Sequence, residues 1–318
     1  MLPSPEGIAL PLSLPLSLPL SRGELDRAAH LRSDEQALEE MWSRAQVIDL
    51  LGDRFRCKKN SLDLQSSDSF PANDENAERY FLGLDKAGTP YFALHRSASL
   101  EEFPSEYESL RTIGKSLNSL EIGAAVHALA IAQWHDSHRR CAKCGAKTRM
   151  AMGGAVRQCD SCESDHHPRT DPAVIVLVKD RFDRILLGRQ RVWPAKRFST
   201  FAGFVEPGES FESTVIREVA EECGGIVSSM RYLGSQPWPF PASLMIAFEA
   251  IISNPDSVKA DGEEIEEIIW LNRTELKSKV ANQDLLLPPR ISVARAMIEA
   301  WYGESASEDL VGSETWRN

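Results

Sequence analysis

The sequence predicts an α+β protein with three parts: an N-terminal α/β domain, a short ribbon that contains four cysteines, and a C-terminal α/β/α sandwich on a mixed sheet. Two C-x2-C pairs in the middle of the chain indicate the ribbon. The segments after them follow the order strand, strand, helix, strands, helix, which is typical of such a sandwich. The expected divisions are an extension at 1–17, the N-terminal domain at 18–137, the ribbon at 138–167, the C-terminal domain at 168–303 and a tail at 304–318.

The composition is that of a globular protein with room for two or more domains, since the chain has 318 residues and is 42% hydrophobic. A net charge of −11 argues against broad non-specific binding to nucleic acid, which relies on a basic surface. Small-molecule substrates and capped ends remain compatible with this charge.

The N-terminal stretch is rich in Leu, Pro and Ser. Residues 8–21 read IALPLSLPLSLPLS, and a proline at every fourth position breaks both a signal-peptide helix and a membrane-spanning helix. Elsewhere the sequence has no apolar run of about 18 residues, the length that a span requires. We therefore expect residues 1–17 to be flexible, and the protein to be cytoplasmic without membrane contact.

The N-terminal domain shows weaker patterns than the rest of the chain. Polar helical segments are expected at 24–48, strands at 79–84 and 91–95, and a polar loop at 65–78. Residues 119–135 form a strongly apolar stretch that predicts a helix leading into the first cysteine pair. Its histidines, His127 and His135, are expected to pack or cap rather than to catalyse.

The four paired cysteines predict a zinc site. Each C-x2-C turn presents two thiolates, and two such turns complete a tetrahedral shell for one structural Zn²⁺ per chain. Two disulfides and a redox pair are the alternatives, disfavoured respectively by a reducing cytoplasm and by the repeated pair at ribbon distance. Cys57 and Cys223 have no partner at metal spacing and are expected to be ordinary thiols. The predicted zinc ligands are Cys141, Cys144, Cys159 and Cys162.

The C-terminal domain is predicted from strongly apolar segments. Strands are expected at 172–180, 184–190, 230–234, 244–252 and 265–271, with a final helix at 290–302.

The stretch with the clearest chemistry is GFVEPGESFESTVIREVAEECG at 203–224. Residues 210–223 lack Gly and Pro and end at a glycine pair, so they predict one helix. On that helix Glu218, Glu221 and Glu222 are spaced i, i+3 and i+4, which brings three like charges within about 5–6 Å at Cβ. A solvated acidic face is the ordinary explanation of such a cluster. A hard divalent cation, Mg²⁺ or Mn²⁺, is the explanation that also accounts for the mutual repulsion.

The spacing of this stretch resembles the signature of the Nudix hydrolases, G-x5-E-x7-R-E-U-x-E-E-x-G followed by an apolar residue. Only that last apolar position departs, because Gly225 stands there and Ile226 follows. We expect Glu209 to pair with Arg217 and fix the loop over the helix. The matching positions are Gly203, Glu209, Arg217, Glu218, Val219, Glu221, Glu222 and Gly224.

A second stretch narrows the resemblance to the NADH pyrophosphatase (NudC-type) branch. SQPWPFPAS at 235–243 is similar to the array that marks this branch, and the resemblance extends over nearly the whole chain from about residue 18. Three prolines stiffen the array, while Trp238 and Phe240 offer aromatic faces. A core corner or a dimer contact is an alternative role for such a segment.

The resemblance implies a set of functional residues. Glu218 and Glu222 would bind the catalytic metal, Glu221 would bind metal or assist the base, and the Ala202 carbonyl and Glu264 would complete the ligands. Catalysis would fall to Glu222, Glu221 and Glu218, and Gly203, Glu209 and Arg217 would give structural support. His167 stands where relatives often carry Tyr. The implied substrate-binding residues are Arg111, His167, Phe204, Gln236, Pro237, Trp238, Pro239, Phe240, Pro241, Ala242, Ser243 and Ala294.

The implied activity is Mg²⁺- or Mn²⁺-dependent hydrolysis of the pyrophosphate of NAD(H) to NMN(H) and AMP, in a homodimer. Removal of NAD caps from RNA 5′ ends would cut the same bond, and the basic residues at 138–149 offer a surface for the RNA. The alternatives are a Nudix pyrophosphatase for another nucleoside diphosphate derivative such as ADP-ribose, and a non-catalytic Nudix-like regulator. The regulator is disfavoured because all four glutamates are present.

Overall fold

The computed structural model describes residues 16–71, 74, 76–98 and 103–311, and these residues form two compact units. The first, called the N-terminal unit, comprises 19–171 and 237–244 of the described chain. The second, called the C-terminal unit, comprises 16–18, 172–236 and 245–311. The helices are α1 Glu35–Trp42, α2 Leu110–Ile113, α3 Ser119–Ser137, α4 Phe211–Cys223, α5 Arg273–Ala281, α6 Val293–Tyr302 and α7 Ala306–Asp309.

Sixteen strands are present in the described chain. They are β1 Gln46–Leu51, β2 Arg54–Lys58, β3 Ser61–Leu62, β4 Gln65–Ser66, β5 Ala77–Leu84, β6 Pro90–Arg96, β7 Tyr107–Ser109, β8 Thr148–Ala151, β9 Val156–Cys159, β10 Asp165–His166, β11 Asp171–Lys179, β12 Ile185–Gln190, β13 Phe201–Phe204, β14 Val227–Trp238, β15 Ser243–Ile252 and β16 Ile265–Leu271.

The N-terminal unit contains a seven-stranded sheet in the order β3-β2-β1-β6-β5, with β4 paired to β1 and β7 to β2. β1 runs parallel to β6, with Val47 opposite Phe92, and β5 runs antiparallel to β6, so the sheet is mixed. β8, β9 and β10 form a separate three-stranded sheet that carries the ribbon. The predicted α+β class is confirmed.

Helix α3 begins and ends close to the predicted limits. Asn118 caps it by accepting hydrogen bonds from the Leu120 and Glu121 amides, and Glu121 completes a capping box. Its side chains are buried around most of the circumference, which explains the continuous apolar pattern. His135 packs as predicted, with its ring stacked on Tyr80 at 4.7 Å.

Two predictions for the N-terminal unit are wrong in part. Residues 46–48 begin β1 rather than continuing a helix, because four of the six side chains in QVIDLL are apolar and two of these are β-branched, which suits a buried strand. The predicted loop at 65–78 contains β4 and the first residues of β5. The short strands β2, β3 and β7 contain too few residues for a periodic sequence pattern to predict them.

The C-terminal unit contains a six-stranded sheet in the order β14-β15-β11-β12-β16, with β13 paired to β11. β11 and β12 form the predicted hairpin, with Val178 opposite Leu186. The predicted strands at 172–180, 184–190, 244–252 and 265–271 are confirmed, and the one at 230–234 is longer, as β14. β13 and α5 were not anticipated from the sequence.

Helices cover both faces of this sheet. Ile175 and Leu177 of β11 share one hydrophobic core with Val280 of α5 and Met297 of α6. On α4, Val219 lies beside Ile252 of β15, whose side chain points to the opposite face from that core. The α/β/α sandwich is therefore present, with α4 alone on its face of the sheet among these three helices.

Both ends of the described chain pack into the C-terminal unit. Leu16 and Leu18 are buried in its core, so the flexible extension expected at 1–17 does not include Leu16. Residues 304–311, expected to start a tail, instead contribute the buried Ala306 and Leu310. Residues 1–15 and 312–318 lie outside the described residues. Within the described chain, the structure contains no helix that is both long and apolar enough to cross a membrane.

Candidate active site and metal centres

Helix α4 positions the predicted carboxylates, and its two ends are set locally. Ser210 caps the first turn by accepting a hydrogen bond from the Ser213 amide. Gly224 ends the helix in the left-handed conformation, with φ at 66°. The predicted helix at 210–223 is confirmed.

The three helix glutamates meet different environments. Glu222 points inward and its residue is only 3% exposed, whereas the side chain of Glu218 is 12% exposed and that of Glu221 is 61% exposed. Spacing alone places the three on one side of the helix. Because this side of α4 packs under β13 and β16, the three carboxylates differ in exposure, from the buried Glu222 to the solvated Glu221.

Arg217 binds the loop to the helix. Its guanidinium donates to both carboxylate oxygens of Glu209, at 2.7 and 2.8 Å, in the bidentate geometry that makes such pairs strong. It also donates to Glu218 at 2.7 Å and to Glu221 at 2.9 Å. Its fifth bond goes to the Phe204 carbonyl at 3.0 Å. The expected Glu209–Arg217 pair is therefore present.

The pKa values of Glu209 and Glu222 are shifted in opposite directions from the ordinary value of a glutamate. The hydrogen bonds from Arg217 lower the pKa of Glu209 to about 2. Burial is the main cause that raises the pKa of Glu222 to about 9, with the neighbouring charges of Glu264 and Glu218 acting in the same direction and a hydrogen bond from the Ala202 amide opposing them. Burial also raises the pKa of Glu218. A cation among these groups would relieve the repulsion.

Strand β13 is placed directly against the helix glutamates. A Cβ atom built on Gly203 would lie 1.9 Å from both Cδ and Oε1 of Glu218, so only glycine leaves room for that carboxylate. Ala202 pairs with Ile175 of β11, and its amide donates to Glu222. Ala202 and Gly203 thus border the carboxylates, and the ligand role that the resemblance implies for the Ala202 carbonyl stays a prediction.

Glu264 lies at the start of β16 and joins the helix glutamates through space. Its charge raises the pKa of both Glu222 and Glu218. Gln190 at the end of β12 holds its carboxylate by donating from Nε2 at 2.8 Å. Gln190 was missed because nothing local in the sequence marks it, and Asp261, which accepts the Glu264 amide at 3.2 Å, was missed although it lies three positions away.

The carboxylates suit a divalent cation. Glu222 Oε2 is buried and has no hydrogen-bond partner in the described part of the chain, an arrangement that is costly for a polar atom. Oxygen donors on Glu218, Glu222 and Glu264 are the ligands that Mg²⁺ and Mn²⁺ prefer. Among the described residues the glutamates do not form a closed cluster, and Arg217 donates to both Glu218 and Glu221.

The cysteine sulfurs form the tight cluster that the spacing predicts. All four ligand atoms lie within 4.8 Å of one another. The Cys141–Cys162 and Cys144–Cys159 sulfurs are 3.6 and 3.5 Å apart, near the edge of about 3.8 Å that four Zn–S bonds of about 2.3 Å require. His166 Nε2 lies 3.3 Å from the Cys141 sulfur, so this histidine is a neighbour of the sulfur set. The sulfurs therefore fit one structural zinc ion.

The aromatic array is divided between the two units. Trp238 and Phe240 meet edge to face at 4.9 Å within the N-terminal unit. The guanidinium of Arg111 lies 3.9 Å from the Phe240 ring centroid and 5.2 Å from that of Trp238, so Arg111 joins the array. Gln236 belongs to the C-terminal unit, where it is fully buried and donates to the Ile291 carbonyl at 3.0 Å. Its side chain serves packing in this structure.

The remaining predicted substrate residues are scattered. Phe204 is exposed at the end of β13, and its carbonyl is held by Arg217. His167 is exposed beyond β10. Ala294 is buried in α6. The structure brings Phe204 to the carboxylates, and it places His167 in the N-terminal unit.

Three family models match successive parts of the chain. An NADH pyrophosphatase-like rudimentary NUDIX domain matches residues 26–134. An NADH pyrophosphatase zinc ribbon domain matches residues 136–166. A NUDIX domain matches residues 169–289.

Two relatives are similar over most of the chain. The NAD-capped RNA hydrolase NudC of Mycobacterium tuberculosis is 38% identical over 294 residues, which are 88% of this chain and 93% of the relative. The mitochondrial NAD(P)H pyrophosphatase NUDT13 of Mus musculus is 36% identical over 243 residues, 71% of this chain and 69% of the relative. Because the similarity runs through all three parts, the chain belongs to the NADH pyrophosphatase (NudC-type) family of Nudix hydrolases.

Proposed function

We propose that this protein hydrolyses the pyrophosphate of NAD(H) to NMN(H) and AMP, and that it removes NAD caps from RNA 5′ ends by cutting the same bond. The observation that carries the hydrolysis is the buried Glu222, whose Oε2 has no partner in the described chain, beside Glu218 and Glu264. The substrate is supported by the relatives, which are named as an NAD-capped RNA hydrolase and an NAD(P)H pyrophosphatase.

Different residues of the site would carry out different parts of the reaction. Glu218, Glu222 and Glu264, with the Ala202 carbonyl, would hold Mg²⁺ or Mn²⁺. A divalent cation supplies charge neutralisation on the phosphate oxygens and makes water a stronger nucleophile. Glu222 or Glu221 accepts the proton when water attacks phosphorus in line. The P–O bond of the anhydride then breaks, and one mononucleotide leaves with its phosphate.

Arg217 has a positioning part in this scheme. Its bonds to Glu209 and to the Phe204 carbonyl fix the loop, so the guanidinium holds Glu218 and Glu221 at a set distance from each other. A pKa of about 9 for Glu222 means that cation binding and deprotonation of this carboxyl are coupled.

The array supplies substrate recognition. We assign Trp238 and Phe240, stiffened by their prolines, to stacking on a base of the dinucleotide. Arg111 packs on the same rings and extends this surface with a positive charge. Phe204, which is exposed next to Gly203, offers a second aromatic face near the carboxylates.

The RNA activity needs a surface for the nucleotides that follow the cap. The basic residues of the ribbon are partly engaged, because Arg139 pairs with Asp136 at 2.9 Å and Arg149 with Asp160 at 3.2 Å. Lys143 and Lys147 are exposed. We propose these lysines as the RNA contacts of the ribbon, since phosphate binding needs accessible positive charge.

A panel of substrates with product chromatography tests the proposal. NADH, NAD⁺, NADPH, ADP-ribose and an NAD-capped transcript are each incubated with the protein in Mg²⁺ and in Mn²⁺. We expect NMNH and AMP from NADH, and a 5′-monophosphate end on the transcript. Exclusive turnover of ADP-ribose, or the absence of turnover in both metals, would contradict the assignment.

We also propose a cytoplasmic homodimer. The cytoplasm is supported by six free cysteines, four of which fit zinc only as reduced thiolates. The dimer rests on the family resemblance alone. Light scattering of the purified protein after gel filtration tests it, because a dimer has twice the 35.4 kDa chain mass.

A further inference from the structure

The segment 237–244 folds with the N-terminal unit although it connects two strands of the C-terminal sheet. Two hydrogen bonds and the contacts of Arg111 with two aromatic rings hold it there. Gln133 Nε2 in α3 donates to the Pro239 carbonyl at 2.9 Å, and the Asp171 amide donates to the Ala242 carbonyl at 2.8 Å. The Arg111 guanidinium covers the Phe240 ring at 3.9 Å. The aromatic array is thus built on the N-terminal unit.

The bond from Gln133 falls at the centre of the array. Pro239 lies between Trp238 and Phe240, and as a proline it has no amide hydrogen, so its carbonyl is its only backbone group for a hydrogen bond. The Phe240 amide donates to the Trp238 carbonyl at 2.7 Å, which closes a tight turn around Pro239. A bond to the Pro239 carbonyl therefore acts on both aromatic side chains at once.

Helix α3 is a firm support for that bond. It runs for 19 residues, begins with a capping box, and buries most of its surface. Gln133 is half-buried near its C-terminal end, so its amide has fewer rotamers than an exposed glutamine would have. A side chain on a helix places a donor more accurately than one on a loop.

We propose that Gln133 is a positioning residue for substrate recognition, which sets the Trp238–Phe240 pair through the Pro239 carbonyl. The proposal rests on the proposed function, in which this pair stacks on a base of the dinucleotide. It also gives the N-terminal unit a role in recognition, because Gln133 of α3 and Arg111 of α2 both contact the segment 237–244.

The test replaces the donor while keeping the shape of the side chain. Gln133→Glu places a carboxylate oxygen opposite the Pro239 carbonyl, and Gln133→Leu removes hydrogen bonding altogether. The control is Gln36→Glu, on the exposed face of α1 in the same unit, where Gln36 Nε2 donates to the Glu40 carboxylate at 3.2 Å. Melting temperatures confirm that each variant is folded.

Hydrogen–deuterium exchange provides a readout that does not depend on catalysis. We expect the amides of peptides covering 237–244 to exchange faster in both Gln133 variants, with peptides of α1 and β1 unchanged. Equal exchange of the array in wild type and variants would overturn the proposal, whatever the substrate of the enzyme.

Kinetics then tests whether the position matters for recognition. We expect both variants to raise KM for NADH about fivefold, because displaced rings lose part of their stacking on the base, with kcat within about twofold. In a background that carries both Trp238→Ala and Phe240→Ala, the same substitutions should leave KM unchanged, because both rings that Gln133 positions are absent. An unchanged KM in the wild-type background, or an equal increase in both backgrounds, would overturn the role. If wild type leaves NADH intact, the proposed function fails, and the exchange data still decide the positioning.

Discussion

The four-sulfur cluster and the carboxylate cluster differ in how completely the protein closes them. The cysteine ligand atoms lie within 4.8 Å of one another, and two short knuckles supply all of them. The glutamates come from α4 and from the distant Glu264, and Arg217 holds Glu218 and Glu221 aside. A closed set of four thiolates suits a metal that stabilises the fold. An open set of oxygens, which a substrate phosphate completes, suits a metal that takes part in catalysis.

The largest expected effect is the loss of turnover in Glu222→Gln. The amide removes the charge of the most buried carboxylate, which is both a ligand candidate and a base candidate, so we expect kcat to fall by about 10³-fold or more. Steady-state hydrolysis of NADH measures it. The control is Glu212→Gln, an exposed residue in the first turn of the same helix. Near-normal turnover of folded Glu222→Gln protein would show that the carboxylate cluster is not the catalytic site.

Loss of a ligand from the sulfur cluster should lower the stability of the protein rather than change the chemistry that it catalyses. Cys141→Ser removes one of four ligands, and zinc binding of this kind contributes on the order of 10 kcal/mol to folding in small zinc domains. We expect less than one zinc ion per chain by elemental analysis, and a lower melting temperature of the N-terminal unit by calorimetry. Cys57→Ser, at a half-buried thiol on β2, is the control. Retention of full zinc content by Cys141→Ser would mean that another ligand, such as His166, completes the shell.

A smaller loss of activity is expected when a residue that borders the carboxylates is changed and the carboxylates themselves are kept. Gly203→Ala keeps every ligand but places a Cβ 1.9 Å from Glu218 Oε1, so the carboxylate must move. A displacement of about 1 Å costs on the order of 10²-fold in rate, and we expect kcat/KM to fall by about 10–100-fold with a weaker apparent affinity for Mg²⁺. The control is Gly23→Ala, whose Cβ would meet its nearest neighbour at 3.8 Å. If Gly203→Ala behaves like this control, Glu218 has room that the structure does not show.

The two clusters were not equally accessible to sequence reasoning. The cysteine cluster follows from local spacing alone, because both knuckles are short and rigid enough to determine where the sulfurs lie. Helix α4 and its caps were equally local. The support of Glu264 by Gln190 was not predictable, because the two residues are 74 positions apart and meet only through the pairing of β12 with β16.

The structure gives three residues surroundings that the sequence did not indicate. The family resemblance implies a substrate contact for Gln236, and the structure buries its side chain against the Ile291 carbonyl. The resemblance implies a substrate contact for Arg111 as well, and the structure places its guanidinium on the rings of Trp238 and Phe240. Leu16 was assigned to a flexible extension because of its Pro-rich surroundings, but the core of the C-terminal unit covers it. In each case a segment that is distant in the sequence determines the environment of the residue, and a local sequence pattern does not reveal it.

The smallest expected effect concerns a buried histidine beside the ribbon. His135 Nδ1 accepts from Arg157 Nη1 at 2.6 Å, and Nε2 donates to the Gly154 carbonyl at 2.8 Å, so the neutral ring satisfies both partners. Burial lowers the pKa of His135, and the charge of Arg157 acts in the same direction. Protonation would place a second donor against the guanidinium. The other buried histidine of this unit, His95, also has a pKa lowered by burial.

The folded state therefore binds fewer protons than the unfolded state, in which the pKa of histidine is about 6.5. The contribution of neutral His135 to stability is present above that pH and decreases as the pH falls below it. Acid also releases zinc from thiolates, so the melting temperature of wild type alone does not separate the two effects. We expect His135→Gln to melt lower than wild type at pH 7.5 but to lose a few degrees less between pH 7 and pH 5 at equal zinc content. The control, His30→Gln, changes an exposed side chain of the same unit and should keep the wild-type slope. An unchanged slope in His135→Gln would assign the acid sensitivity of this unit to the cysteines or to His95.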